Sequence, residues 1–68
     1  MNSISEKAVI GDNVKIGRNV VIDDGVVIGE NSVIGDLVII HEGTKIGRSS
    51  VIGDSTVLGK RPFKASNS

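Results

Sequence analysis

A branched aliphatic residue returns at every sixth position: Ile4, Ile10, Ile16, Ile22, Ile28, Ile34, Ile40, Ile46, Ile52 and Leu58. No insertion or deletion interrupts these ten hexads, and so regular a repeat dictates architecture ahead of any local propensity. A period of six is not that of an α-helix, and nine glycines among many β-branched residues oppose one. Within a hexad the alternation of inward and outward residues runs over about four positions, as in Val20-Val21-Ile22-Asp23, which predicts a short strand. The two positions left over must turn the chain. The second of them holds Asn13, Asn19, Gly25, Asn31 and Gly43, residue types that accept positive φ, so a left-handed corner residue is predicted there.

Glycine follows the aliphatic at Gly11, Gly17, Gly29, Gly35, Gly47 and Gly53, whereas Ser5, Asp23 and His41 take that place once in every three hexads. Departures that recur at every third hexad are expected to stack in one column of a three-sided prism. Ten hexads then make a little over three coils of a parallel β-helix, an all-β fold. The aliphatics point inward, together with a smaller residue four places later: Ala8, Val14, Val20, Val26, Ser32, Val38, Thr44, Ser50 and Thr56. Large and small side chains thus alternate around a narrow core. Buried hydroxyls at Ser32, Thr44, Ser50 and Thr56 must find backbone or one another, because an unpaired one is costly.

The totals exclude several classes of function. Lysine plus arginine balance aspartate plus glutamate at 8 each, which offers no electrostatic case for nucleic acid or an anionic membrane. With no cysteine there is neither a disulfide framework nor a thiolate metal site. Phe63 is the sole aromatic residue, too few for base stacking. The amino-terminal residues lack the form of a secretory signal, and no apolar run approaches the roughly 20 residues of a membrane span. A soluble, cytoplasmic protein is the expectation, with the β-helix over 3–63 and a polar tail over 64–68. Pro62 falls at an inward position and donates no ladder bond, so the coil is expected to stop or bulge there.

The pattern aliphatic–Gly–x–x–small–x, as in I-G-D-N-V-K (Ile10 to Lys15) and I-G-E-N-S-V (Ile28 to Val33), resembles the hexapeptide-repeat acyltransferases. The resemblance covers Ile4 to about Gly59. It implies a left-handed parallel β-helix with three hexads per coil; the left hand comes from the resemblance alone, since general rules for β-crossovers favour the right. It further implies a homotrimer, acetyl-CoA as acyl donor, a small-molecule acceptor (a sugar or an amino acid), and a histidine at a subunit interface that deprotonates the attacking hydroxyl or amine.

His41 is the only histidine, and the prism places it outward with Asp23 one coil away. An imidazole bonded to a carboxylate is a sound general base near neutral pH. His41 and Asp23 are therefore the candidate catalytic residues; the alternative is a surface histidine bonded to Asp23 or to solvent. Lys60, Arg61 and Lys64 form a basic cluster suited to the phosphates of coenzyme A, or simply a solvated tail. Glu6, Asp24 and Glu42 share a neighbouring column and read as solvated corners. A zinc site needs about three nitrogen ligands, so no metal is expected. Val21, Ile39 and Val57 fall in one outward column, an apolar stripe of the kind that marks an interface. Two classes of function stay open at this point. One is an acyltransferase, or the amino-terminal part of one; the other is a non-catalytic β-helix module for oligomerisation or partner binding.

Overall fold

The computed structural model describes residues 1–59. Among the described residues, ten strands of two residues each make up three parallel sheets. The first sheet stacks β1 (Ser3–Ile4), β4 (Val21–Ile22), β7 (Ile39–Ile40) and β10 (Val57–Leu58). The second stacks β2 (Val9–Ile10), β5 (Val27–Ile28) and β8 (Lys45–Ile46). The third stacks β3 (Lys15–Ile16), β6 (Val33–Ile34) and β9 (Val51–Ile52). Each strand pairs with the one three hexads away, so Ile4, Ile22, Ile40 and Leu58 lie in a single register column. The chain is a parallel β-helix of three strands per coil.

Strands of two residues are shorter than the alternation predicts. The reason lies in the ladder, which extends past the paired residues. Val21 N–H donates to Val38 O at 2.9 Å and Asp23 N–H to Ile40 O at 3.0 Å, so bonded backbone covers the flanking positions. Only the corner that follows ends the pairing. Corners bond too: Leu37 N–H donates to Arg18 O at 2.8 Å and Asn31 N–H to Asp12 O at 2.9 Å.

The core is the predicted one. Among the described residues Val20, Ile22, Val26, Ile28, Ile34, Val38, Ile40 and Ile46 are buried, together with the polar Ser32. Ser32 Oγ donates to Gly47 O at 3.0 Å and accepts from Ser50 N–H at 3.1 Å. Ser50 Oγ donates to Gly47 O, and Thr56 Oγ1 to Gly53 O, each at 2.7 Å. Burial fades toward the ends, where Ile4 is exposed and Ile52 and Leu58 are half-buried.

The corners explain the glycines. A Cβ on Gly11 would stand 2.7 Å from Glu30 N, and one on Gly35 2.9 Å from Asp54 N, both backbone of the next coil. Real side chains never approach so closely, so glycine is obligatory where these two corners stack. Two places on, the corner residue takes positive φ: Asn13 (61°), Asn19 (56°) and Asn31 (61°) as predicted, and also Leu37 (59°), Ser49 (57°) and Ser55 (62°).

Candidate functional site

The corner between the first and second sheets is built differently. Its first position carries side chains, Ser5, Asp23 and His41, and glycine moves to the third, where Gly25 and Gly43 have φ of 72° and 76°. The turn closes on itself, with Thr44 N–H donating to His41 O at 3.2 Å and Ala8 N–H to Ser5 O at 3.1 Å. At that third position a Cβ on Gly25 would stand 3.8 Å from Gly43 N, an ordinary van der Waals contact. One edge of the prism can therefore display chemistry, and the chain's only histidine is on it.

Backbone bonds hold the site residues in file. Asp23 N–H donates to Ile40 O at 3.0 Å and His41 N–H to Leu58 O at 2.9 Å. The stack brings His41 Nδ1 to 3.5 Å from Asp23 Oδ2. That exceeds the roughly 2.7–3.2 Å of a formed N–H···O bond, a looseness common in unliganded catalytic pairs. The His41 side chain is only 12% exposed against 41% for Asp23. Its Nδ1 is buried and, among the described residues, has no hydrogen-bond partner. Asp23 is the acceptor within reach. With Nδ1 carrying the proton toward Asp23, Nε2 is left with the lone pair.

The repeat that positions this pair also decides the lineage. Residues 7–41 match the family model for the bacterial transferase hexapeptide (six repeats), a little over half of the chain's 68 residues. The chain belongs to this family. No curated protein and no solved structure matches the chain. The family match contains both Asp23 and His41, so the candidate pair is set within the transferase repeat itself.

The other sequence candidates fall as follows. Val21, Ile39 and Val57 do share one column, paired in register, with Val21 and Ile39 half-buried and Val57 exposed. Ile39 opens β7 and His41 directly follows that strand, so the stripe and the site adjoin. Ser5 Oγ donates to Asp24 Oδ1, and Glu6 and Glu42 are exposed in the same column as Asp24. Among the described residues no group of acids and histidine is placed to hold a metal. Lys60, Arg61, Pro62 and the 64–68 tail lie outside the described residues.

Two residues near the site were not assigned to it from the sequence. Gly59 takes φ of 78°, and a Cβ there would stand 3.4 Å from His41 Cβ and collide with Thr44 Oγ1. Close approach of Gly59 thus roofs the histidine. Its place three hexads after His41 was the available signal. Thr44, counted as a core position, borders the same roof.

Proposed function

We propose that the chain transfers an acetyl or other acyl group from a coenzyme A thioester to a hydroxyl or amine of a small acceptor, a sugar or an amino acid. The observation that carries this reading is the buried His41 Nδ1, without a hydrogen-bond partner among the described residues, beside Asp23 on the one corner whose first position carries side chains in place of glycine. His41 Nε2 takes the proton of the acceptor's O–H or N–H as its heteroatom attacks the thioester carbonyl carbon. The new C–O or C–N bond forms, the C–S bond breaks, and the imidazolium returns its proton to the departing thiolate. Asp23 holds the tautomer and steadies the transient positive charge. Copies associate in this reading as a homotrimer through the stripe of Val21, Ile39 and Val57, with Lys60 and Arg61 meeting the donor's phosphates.

The test is calorimetric titration with acetyl-CoA, followed by release of free CoA thiol in the presence of pooled amino-sugar and amino-acid acceptors. Saturable donor binding and acceptor-dependent thiol release, lost in His41→Gln, are expected. No donor binding at millimolar concentration would refute the reading and leave the non-catalytic β-helix module in its place.

A further inference from the structure

The first position of the histidine corner runs Ser5, Asp23, His41 and then Gly59, so the fourth coil withdraws the side chain that the three before it carry. Glycine returns here for a reason that differs from the other corners. Gly11 and Gly29 are hemmed in by the coil that follows, through the backbone of Glu30 and Arg48. Gly59 instead presses back on the coil before it. A Cβ there would collide with Thr44 Oγ1 and stand 3.4 Å from His41 Cβ and 3.7 Å from Thr44 Cβ. Its φ of 78° also sets it apart, because the glycines at the first position of the other two corners do not take positive φ. In this corner the left-handed residue otherwise comes two places later, at Gly25 and Gly43. The backbone thus enters the left-handed region just where it meets the histidine, and glycine is the residue that enters it at least cost. Hydrogen bonds fasten the contact from both sides. His41 N–H donates to Leu58 O at 2.9 Å, which pins the peptide leading into Gly59 against the histidine backbone. Thr44 N–H donates to His41 O at 3.2 Å and keeps Thr44 alongside.

We propose that Gly59 and Thr44 are positioning residues for His41. They close the carboxy-terminal side of the imidazole, so that Nδ1 is held toward Asp23, 3.5 Å away, and Nε2 is the nitrogen left to take a proton. A side chain has about three staggered χ1 wells, and a roof set against Cβ removes those that swing the ring away from Asp23. Choosing one well in advance spares the ordering that a mobile imidazole would undergo in every turnover. The inference rests on the acyl-transfer reading for its use, since a positioned Nε2 matters where a proton is to be taken. The positioning itself is a property of the free chain and is measured there.

A single histidine makes the test direct. Proton–nitrogen correlation spectra of the free chain, taken with the imidazole neutral, report which ring nitrogen holds the proton. The wild-type chain should show it on Nδ1, and Asp23→Ala should return it to Nε2, the nitrogen that free imidazole favours. Gly59→Ala should do the same. Gly43→Ala is the matched control: Gly43 has φ of 76°, and among the described residues nothing lies within 4 Å of a Cβ there. That variant carries the backbone strain without the contact, and its ring signals should stay at their wild-type positions. Thr44→Ala adds no backbone strain and should mix the two tautomers, whereas Thr44→Val restores the bulk and should keep the wild-type one. Exchange protection of the His41 amide shows whether the bond to Leu58 O survives in each variant; where Gly59→Ala loses it, the Thr44 pair decides. A wild-type proton on Nε2 overturns the proposal. So do wild-type ring signals in Thr44→Ala, or in Gly59→Ala with the amide still protected, and so does an equal displacement in Gly43→Ala. In the proposed reaction Gly59→Ala should lower kcat about tenfold or more at unchanged donor KM. The spectra need neither donor nor acceptor, so their failure leaves the acyl-transfer reading to its own titration.

Discussion

The backbone N–H of Asp36 donates to Asp54 Oδ1, 2.8 Å away on the following coil. One coil earlier the same bond recurs, from Arg18 N–H to Asp36 Oδ1, also at 2.8 Å. Two carboxylates thereby cap successive layers of one corner, doing with a side chain what a ladder carbonyl does elsewhere. Charged acceptors make the stronger hydrogen bonds, although exposure to water tempers them here.

Asp36→Ala removes that acceptor and the 3.9 Å contact with the Arg18 guanidinium. A loss of about 1–2 kcal/mol is expected, read as a lower urea midpoint at unchanged slope. Asp36→Asn keeps an acceptor oxygen and should lose less. Equal losses in the two variants would assign the effect to charge and not to the capping bond.

Gly29 and Gly47 occupy equivalent places on one corner but differ in what lies above them. A Cβ on Gly29 would stand 2.6 Å from Arg48 Cα, whereas among the described residues nothing lies within 4 Å of one on Gly47. Gly29→Ala should therefore cost about 2–3 kcal/mol as overpacking, and Gly47→Ala well under about 1 kcal/mol. Chemical denaturation of the pair decides it. Similar midpoints would show that coil stacking does not set the glycines.

Ser32 is fully buried and bridges Gly47 O and Ser50 N–H. In Ser32→Ala the Ser50 N–H loses its acceptor, while Gly47 O retains Ser50 Oγ. The expected destabilisation is about 1–3 kcal/mol. Hydrogen exchange at the Ser50 amide, accelerated beyond the global change, would locate the damage. An amide as protected as in wild type would refute the bridge.

Asp23→Asn preserves shape and removes the charge that faces His41 Nδ1, 3.5 Å away. Turnover in the proposed reaction should fall about tenfold or more with little change in thermal midpoint, and His41→Gln should fall by about 10²–10⁴. Wild-type turnover in Asp23→Asn would remove Asp23 from the mechanism.

Much of this molecule was legible in its sequence because the repeat is a direct image of the register. Ile4, Ile22, Ile40 and Leu58 stack in space because each follows the last by three hexads of chain. The substitution of glycine by Ser5, Asp23 and His41 marked the one open corner for the same reason. Strand length was not legible, since alternation continues through residues such as Val20 and Asp23 that are bonded but not paired. The left-handed corner at Leu37 was not legible, because corner propensity favours asparagine and glycine there. The roof that Gly59 makes over His41 depends on an ångström-scale approach that residue types do not encode.

Because every rung is fastened to the rung three hexads distant, the chain is a ruler as well as a scaffold. A cassette of one full coil could be spliced in or excised with each surviving layer still meeting a compatible neighbour. Loss of a single residue inside a strand would rotate every later side chain to the wrong face. Such a molecule tolerates change by whole storeys and resists it by single bricks.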